Sequence, residues 1–314
     1  MKDNYPIPKI ENLLIYLRSA KFFTTLDLAS GYHQVKIKEG DRYKTAFITE
    51  FGLFMFIVMA FGLCNAPTTF QRLMEKVLHE YLYKFVVVYF DDVIIFSMTE
   101  DEHVVHLRLV LLKLREHVLK IQWKKCRWGL SRIEYLGLMV DNGTISPAPK
   151  KIDALLNFER PTTSKKLSSF LGLANYYRKF IKNFAAIADP LFKSISKNSK
   201  ISWTPACEDA FVQLKTILSS FKSDSEENGI LALPNFEHPF ILETDASNIG
   251  VGAVLSQKID SVTRPIGYYS KPLSTAQRNY AVIERELYAL VVSIEHFKIT
   301  CLVPSSQCFL IINR

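Results

Sequence analysis

Two adjacent carboxylates, Asp91 and Asp92, lie between two apolar runs at residues 85–90 and 93–96. Both runs are rich in β-branched and aromatic residues, so we predict two strands joined by a tight hairpin with the aspartates at its tip. Two like charges held this close repel each other, and each favours water or a cation. Mg²⁺ is a suitable cation, because it takes hard carboxylate oxygens and leaves positions for substrate phosphates.

A third carboxylate, Asp27, ends a predicted strand at residues 22–28. Beside the hairpin it would complete a two-metal clamp that activates an attacking hydroxyl and stabilises a leaving pyrophosphate oxygen. The alternative is structural: Asp91 and Asp92 would be turn residues, and Asp27 would cap a helix. Spacing alone leaves both interpretations open.

The composition excludes several classes of protein. The chain has 314 residues, is 48% hydrophobic and 22% charged, and so is not disordered, collagen-like or a coiled coil throughout. It contains no apolar run of bilayer length and no signal peptide. Its five scattered cysteines include no C-x-x-C pair, which is typical of reduced thiols. We therefore expect an intracellular protein without a membrane partner.

The net charge of +8 is unevenly distributed. Residues 1–140 carry 19 basic and 15 acidic side chains, residues 141–200 carry 11 and 4, and residues 201–314 carry 9 and 12. Clustered Lys and Arg attract phosphate backbones through counterion release. The basic middle segment is therefore either a nucleic-acid contact or a solvated face.

Two helices are predicted around the aspartate hairpin. Residues 66–83 form the first, with Pro67 near its first turn. Residues 101–119 form an amphipathic second helix, so the first part of the chain has an α+β or α/β pattern. His103 and His106 have no third metal ligand in reach by sequence, and we place them on the helix surface.

A turn signal at residues 141–143 and two nearby prolines mark a boundary, which a helix at residues 164–184 follows. One face of this helix is apolar. Its other face carries four residues, Lys165, Gly172, Tyr176 and Lys179. A glycine there lets another backbone approach closely, and a nucleic-acid groove and helix packing are both open explanations.

The last third combines strands and a long helix. Strands are predicted at residues 240–244 and 251–255, around a turn at residues 245–250. A helix at residues 275–297 follows, and its apolar stripe is predicted to consist of Ile283, Leu287, Leu290 and Ile294.

Six stretches in this order resemble one protein family. Tyr89-Phe90-Asp91-Asp92 looks like the Y-x-D-D box of reverse transcriptases. With the other five it resembles the pol polyprotein of gypsy-type LTR retrotransposons over nearly the whole chain. The five are Tyr5-Pro6-Ile7-Pro8, residues 26–34 (LDLASGYHQ), residues 61–71 (FGLCNAPTTFQ), Tyr135-Leu136-Gly137 and residues 170–178 (FLGLANYYR).

The resemblance implies an α+β fold: a polymerase palm, with a ferredoxin-like antiparallel sheet and helices, followed by a helical thumb, a connection and a truncated RNase H-like α/β domain. The implied boundaries are 1–142 for partial fingers and palm, 143–200 for the thumb, 201–236 for the connection and 237–314 for the RNase H-like domain. The resemblance also implies that fingers strands preceding residue 1 are missing.

The resemblance also implies roles for residues of the polymerase. Asp27, Asp91 and Asp92 would be the catalytic metal ligands, with Mg²⁺ or Mn²⁺ as cofactor. Tyr32 would be the steric gate under the incoming sugar, the alternative being an ordinary core tyrosine. The other implied residues are Phe61, Gly62 and Lys125 for nucleotide binding, Tyr135, Leu136, Gly137 and Leu138 for the primer grip, and Lys165, Gly172, Tyr176 and Lys179 as a track for the template–primer duplex.

In the last third, Asp245 and Glu286 resemble two metal-binding carboxylates of the retrotransposon RNase H domain. In the family a third carboxylate follows a strand like residues 309–312, and this chain has Asn313 and Arg314 there. Two of four acids make a poorly charged two-metal site, so our hypothesis is that RNase H activity is absent or very weak.

The implied activity is template-directed addition of deoxynucleotides to a primer 3′-hydroxyl. The partners would be an RNA or DNA template with primer and deoxynucleoside triphosphates, in the cytoplasm, in a retrotransposon particle or in the nucleus. The first alternative is a catalytically decayed remnant that still binds nucleic acid. The second is a structural or interaction protein whose acids are relics.

Overall fold

The computed structural model describes residues 3, 5–195, 201–222, 229–301 and 308–312. The helices are α1 Ile10–Tyr16, α2 Ala66–Val77, α3 Glu100–Glu116, α4 Pro149–Leu156, α5 Ser164–Tyr176, α6 Phe184–Ser194, α7 Pro205–Ser220, α8 Thr275–Arg278 and α9 Val282–Cys301. The strands are β1 Phe22–Asp27, β2 Phe47–Thr49, β3 Gly52–Phe54, β4 Val86–Tyr89, β5 Asp92–Ser97, β6 Arg127–Leu130, β7 Arg132–Tyr135, β8 Leu138–Asp141, β9 Thr144–Pro147, β10 Leu231–Ala232, β11 Phe240–Ala246, β12 Gly250–Ile259, β13 Val262–Pro272 and β14 Cys308–Ile312.

The chain folds into two compact units. The first contains Met1–Ile133 and Asp141–Gly143, and the second contains Glu134–Val140 and Thr144–Arg314. The domain boundaries at 142, 200 and 236 stay predictions.

The first unit is built on an antiparallel sheet of order β4-β5-β1-β6. The apolar runs that predicted the hairpin form β4 and β5, which are buried along nearly their whole length. β1 lies in the middle of the sheet and pairs with β5 from Phe22 opposite Ser97 to Asp27 opposite Asp92. This pairing brings the end of β1 to the tip of the hairpin.

Helices α2 and α3 match their predictions, with different ends. α2 ends at Val77 rather than residue 83, and turns follow it. Its buried face, with Phe70 and Met74, packs in the core of the first unit. α3 begins at a capping box, in which the Thr99 hydroxyl accepts from the Glu102 amide and the Glu102 carboxylate accepts from the Thr99 amide.

The surface placement of His103 is wrong. Its side chain is only 3% exposed, and its Nε2 lies 2.8 Å from Thr24 Oγ1 on β1. Its Nδ1 lies 2.9 Å from Ser97 Oγ, which also contacts His106 Nδ1 at 2.8 Å. The imidazole is buried because two hydroxyls of the sheet satisfy its ring nitrogens.

The second unit contains helices α4 to α7, and strands β7 to β10 form a sheet of order β10-β9-β8-β7. The helix predicted at residues 164–184 is interrupted. α5 ends at Tyr176, a short 3₁₀ turn covers Arg178–Phe180, and α6 begins after Asn183, which has a left-handed φ of 58°. The left-handed Asn183 separates the 3₁₀ turn from α6, and the apolar periodicity that predicted one helix runs across both the turn and this break.

The last third contains a sheet of order β13-β12-β11-β14, in which β11 and β14 are parallel. α9 packs on this sheet through Ala289, Val292 and Phe297. The predicted apolar stripe is partly wrong, because Ile283 is 81% exposed and Leu287 is 59% exposed. A neighbouring face of the helix packs on the sheet instead. Because both faces carry apolar residues, the periodicity of the sequence does not indicate which of them is buried.

This mixture of helices with mainly antiparallel sheets confirms the predicted α+β class. Within the part of the chain that the structure describes, no helix combines the length and apolarity needed to cross a bilayer.

Candidate active site

The structure brings Asp27, Asp91 and Asp92 together at one end of the first sheet. Asp27 is the last residue of β1, and Asp92, the first residue of β5, lies directly opposite it in the antiparallel register. Residues so paired have Cα atoms about 4.5–5.5 Å apart. Asp91 immediately precedes Asp92 in the turn. The three carboxylates therefore form one acidic cluster, although they come from sequence positions more than 60 residues apart.

The turn that carries this cluster is backbone-strained. β4 ends at Tyr89, β5 begins at Asp92, and Phe90 between them has a left-handed φ of 52°. Bulky side chains rarely adopt this conformation, which costs on the order of 1–3 kcal/mol. The Phe90 amide donates a 2.5 Å hydrogen bond to Gln71 Oε1 on α2. A side chain from a helix thus helps to hold the turn in an unfavourable conformation.

The electrostatics of the cluster show uncompensated negative charge. Desolvation, followed by the charges of Asp91 and Asp27, raises the pKa of the Asp92 carboxyl, although part of its surface is open to solvent. Asp91 Oδ1 is buried and has no hydrogen-bond partner among the described residues. Lys125 Nζ lies 3.9 Å from Asp27 Oδ2, where both side chains are substantially exposed. One exposed lysine does not balance three carboxylates.

The donor set fits a hard divalent cation. Its oxygens are all carboxylate, which suits Mg²⁺ or Mn²⁺, and a buried Asp91 oxygen without a partner is a free ligand atom. The described residues contain no group of three His, Cys, Asp or Glu side chains already arranged to hold an ion. Binding would therefore require these carboxylates to reorient around the metal.

Tyr32 lies beside the acidic cluster. Burial, followed by the charge of the Asp91 carboxylate and its interaction with the Tyr32 hydroxyl, raises the pKa of Tyr32 to about 12. The ring packs edge-on against Phe70, with centroids 5.4 Å apart, and lies 5.1 Å from the ring of Phe61. Tyr32 is half-buried rather than fully in the core, so its hydroxyl faces the site.

The other residues predicted to bind nucleotide lie around Tyr32 and Asp27. Phe61 is 59% exposed and packs against Tyr32, and Gly62 follows it with a φ of +87° that favours glycine. Lys125 ends the short 3₁₀ turn Trp123–Lys125. This turn is tied to the end of β1, because Gln122, the residue before the turn, donates its amide to the Asp27 carbonyl at 2.7 Å. The roles of these residues stay predictions.

Sequence reasoning assigned no role to Gln71, although the residue lies in one of the family-like stretches. Its side chain is fully buried on α2 and contacts the backbone on both sides of Tyr89. The available signal was an amide side chain on the apolar face of a helix, between Phe70 and Met74. A buried polar side chain requires partners, and here the partners flank Tyr89, where the hairpin that carries Asp91 and Asp92 turns.

In the second unit, the predicted primer grip is a tight turn. Leu136 and Gly137 have φ values of 49° and 78° and join β7 to β8, as in a type I′ hairpin. The hydroxyl of Tyr176 donates to the Leu136 carbonyl, and that of Tyr177 donates to the Gly137 carbonyl at 3.0 Å. The end of α5 therefore supports the turn, and Tyr176 joins the predicted grip to the predicted track.

The predicted template–primer track is partly assembled. Lys165, Gly172 and Tyr176 lie on the exposed face of α5. A Cβ at Gly172 would meet no atom of the described chain within 4 Å, so close helix packing does not explain this glycine. Lys179 follows the end of the helix and lies 5.4 Å from the Phe180 ring, so it does not continue this face by helical spacing.

Asp245 and Glu286 also come close to each other in the second unit. Burial, followed by the charge of Asp245, raises the pKa of Glu286, and its Oε2 is buried without a hydrogen-bond partner in the described part of the chain. Glu284 instead accepts a 2.8 Å hydrogen bond from the Ala281 amide near the start of α9. Asn313 and Arg314 lie outside the described residues.

Two family models match the chain. Residues 1–140 match "Reverse transcriptase (RNA-dependent DNA polymerase)", and residues 203–304 match "RNase H-like domain found in reverse transcriptase". The first match contains the cluster of Asp27, Asp91 and Asp92. The second contains Asp245 and Glu286.

Curated relatives agree with these matches. The Pol polyprotein from transposon opus of Drosophila melanogaster is 42% identical over 308 residues, which cover 94% of this chain and 30% of the relative. That from transposon gypsy of the same organism is 43% identical over 300 residues, which cover 92% and 28%. The Tf2-3 polyprotein of Schizosaccharomyces pombe is 38% identical. The chain spans less than a third of the length of each of these relatives.

Solved structures share the fold. A foamy viral protease-reverse transcriptase in complex with an RNA/DNA hybrid matches with a TM-score of 0.85 over 100% of this chain and 42% of its own, at 22% identity. A related complex with double-stranded DNA matches with a TM-score of 0.88 over 99% and 53%, also at 22% identity. Residues 1–140 belong to the reverse transcriptase family and residues 203–304 to the RNase H-like domains found in reverse transcriptases, in a chain similar to retrotransposon Pol polyproteins over more than nine-tenths of its length.

Proposed function

We propose that this chain supplies the polymerase centre of an RNA-directed DNA polymerase, which adds deoxynucleotides to a primer 3′-hydroxyl by two-metal catalysis. The observation that carries the proposal is the cross-strand pairing of Asp27 with Asp92, with Asp91 adjacent in the turn. Membership of the reverse transcriptase family supplies the reaction class.

Asp27, Asp91 and Asp92 are the residues that would hold Mg²⁺ or Mn²⁺. When bound, the metal lowers the pKa of the attacking hydroxyl and offsets charge on the leaving pyrophosphate. Lys125, beside Asp27, is suited to a phosphate oxygen of the incoming nucleotide. Tyr32 stays a neutral phenol at working pH, and its ring would limit the space for a 2′-hydroxyl.

We propose a template–primer duplex as the nucleic-acid partner and deoxynucleoside triphosphates as substrates. The fold neighbours were solved with an RNA/DNA hybrid and with double-stranded DNA, which supports this choice. The exposed face of α5 with Lys165 and Tyr176, and the turn of Leu136 and Gly137, are the surfaces we assign to it. The boundaries 1–142, 143–200, 201–236 and 237–314 are our proposed palm, thumb, connection and RNase H-like domain.

Primer extension on an RNA template with Mg²⁺ tests the proposal. We expect Asp91→Asn to slow extension about a thousandfold or more, because a lost metal ligand removes several kcal/mol of transition-state stabilisation. Asp101→Asn, an exposed acid in the first turn of α3, is the matched control and should extend normally. Equal extension by the wild type and Asp91→Asn would refute the assignment.

A second candidate is a decayed remnant that binds nucleic acid without turnover. The described residues hold no three-ligand group already arranged for an ion, which is compatible with either candidate. Template–primer binding without extension, in both Mg²⁺ and Mn²⁺, is the outcome expected of the remnant. A chain that neither binds nor extends would instead match the structural alternative.

For the RNase H-like domain we propose Asp245 and Glu286 as a metal-binding pair. The support is their electrostatic coupling and the unpartnered buried oxygen of Glu286. Mg²⁺-dependent cleavage of an RNA–DNA hybrid is the assay. Any cleavage should be lost in Glu286→Gln and kept in Glu284→Gln, because Glu284 interacts with the start of its own helix.

A further inference from the structure

The side-chain amide of Gln71 hydrogen-bonds to three residues. Its Oε1 accepts from the Phe90 amide at 2.5 Å, and its Nε2 donates to the Val88 carbonyl at 3.1 Å. The same Nε2 donates to Glu75 Oε1 at 2.7 Å. The side chain is fully buried, so water does not compete for these bonds. One residue of α2 therefore bridges the end of β4, the turn and a second residue of its own helix.

The contact between Gln71 and Phe90 restrains a strained part of the backbone. Phe90 has a left-handed φ and directly precedes Asp91. A backbone conformation that a residue disfavours persists only where its surroundings hold it. The hydrogen bond that the Phe90 amide donates to Gln71 Oε1 is such a restraint, and it acts one residue away from the carboxylate cluster. Loosening it would let the direction of the Asp91 and Asp92 side chains change.

Glu75 extends this contact to the start of the chain. Its Oε2 accepts a short hydrogen bond from the Tyr5 hydroxyl, while its Oε1 accepts from Gln71. The Tyr5 ring also lies 4.9 Å from the guanidinium of Arg72, which pairs with Asp3. The hydrogen bond to Glu75, with burial, raises the pKa of Tyr5 to about 12, so the phenol stays a donor. These residues all lie in the first unit.

We infer that Tyr5, Glu75 and Gln71 form a hydrogen-bond relay that holds the Phe90–Asp91 turn, so that the Tyr5–Pro8 segment helps to set the geometry of the polymerase centre. These are positioning residues, since none of them reaches the carboxylate cluster itself. The inference rests on the proposed function for its catalytic meaning, but the relay itself is a structural statement that does not require activity.

Hydrogen exchange at the Phe90 amide tests the relay without any assay of activity. Gln71→Met keeps the length of the side chain and removes its hydrogen bonds. We expect exchange at Phe90 to become about tenfold faster in this variant, the effect of losing one buried hydrogen bond. Tyr5→Phe should accelerate it by a smaller factor. Tyr43→Phe, a 66% exposed tyrosine outside the relay, is the matched control and should change nothing.

Primer extension then measures the catalytic consequence. We expect Gln71→Met to lower kcat about 10- to 100-fold, as for residues that orient metal ligands. The Mg²⁺ concentration for half-maximal activity should rise, and the KM for the primer should change little. Because the three residues act in series, adding Tyr5→Phe to Gln71→Met should cost little more than Gln71→Met alone.

The outcomes separate this inference from the proposed function. Unchanged Phe90 exchange in both Gln71→Met and Tyr5→Phe overturns the relay, whatever the activity. Should Gln71→Met fail to fold, Tyr5→Phe decides, because its ring can stay in place. An inactive wild type with faster Phe90 exchange in the variants would reject the polymerase proposal and keep the relay. Fully additive effects on kcat would mean that Tyr5 and Gln71 act separately.

Discussion

At the scale of single residues, the two sides of Asp91 have different environments. Within the described chain, one oxygen is buried without a hydrogen-bond partner, and the carboxylate also interacts with Tyr32. A single tyrosine therefore touches the acidic cluster with its hydroxyl while its ring packs on Phe61 and Phe70. Mutations can separate the role of the hydroxyl from the role of the ring, so each role can be tested.

Tyr32→Val should admit ribonucleotides. Removing the ring leaves room for a 2′-hydroxyl, so we expect the preference for deoxynucleotides over ribonucleotides to fall about tenfold or more, in proportion to the lost steric contact. Tyr32→Phe is the matched control, because it keeps the ring and loses only the hydroxyl that interacts with Asp91. Single-nucleotide incorporation with each substrate gives the ratio. The same ratio in Tyr32→Val and the wild type would rule out the steric role.

At the scale of elements, α3 is joined to the sheet by polar contacts as well as apolar ones. His103 bridges β1 and β5 through Thr24 and Ser97, and His106 stacks on Phe85 with ring centroids 3.9 Å apart. Burial lowers the pKa of both imidazoles. The proximity of His106 lowers the pKa of His103 further, whereas the charge of Glu102 raises the pKa of His106. Their neutral forms are therefore part of the folded state.

Acid should weaken the first unit through these histidines. A folded-state pKa below the unfolded value means that the unfolded chain binds more protons. The stabilisation is complete above the unfolded pKa of about 6.5 and is lost as the pH falls through the lower folded values. Denaturant unfolding across this range measures it. His103→Phe should lower the free energy of unfolding by about 1–3 kcal/mol near neutral pH and flatten the acid slope. His117→Phe, on an exposed residue, should keep the slope.

A second prediction at the scale of elements concerns the exposed face of α5. If Lys165 contacts a phosphate, Lys165→Gln should weaken template–primer binding to all sequences and lower the slope of log affinity against log salt by about one. Lys166→Gln is the matched control, because Lys166 is equally basic and exposed but lies about 100° around the helix. Filter binding at several salt concentrations gives both slopes. Identical slopes for the two variants would remove Lys165 from the track.

At the scale of the whole molecule, net charge differs between segments of the chain. The strongly basic segment, residues 141–200, contains α5, while the acidic carboxylate cluster lies in the first unit. The RNase H-like match at residues 203–304 lies in the segment with net negative charge. The residues that we propose for a polyanionic duplex and those that we propose for divalent cations therefore lie in different segments of the chain.

Mg²⁺ should stabilise the folded chain. An ion that binds only the folded state adds RT ln(1 + [L]/Kd), about 1.4 kcal/mol at ten times Kd, and it relieves the repulsion at Asp92. We therefore expect the Tm to rise with Mg²⁺ and to fall back on chelation. Asp27→Asn should remove most of this rise, whereas Asp101→Asn should keep it. A Tm independent of Mg²⁺ in the wild type would argue against a metal at this cluster.

Much of this molecule was predictable from local sequence. The β-branched runs around Asp91 and Asp92 predicted the hairpin, because a strand–turn–strand unit depends on residues close in the chain. The family-like stretches predicted the α+β class and the family, which the matches confirm. The burial of His103 and the face that α9 turns to its sheet were mispredicted, because both depend on partners far away in sequence.

The sequence by itself determined the identity of the acids and the strands that carry them, since both follow from residue type and short-range pattern. Only the tertiary structure decided that Asp27 pairs with Asp92, because the register between strands 65 residues apart is a long-range choice. It also decided that Gln71 reaches Phe90 and that Tyr5 reaches Glu75. A side chain can meet such distant partners only after the core has packed.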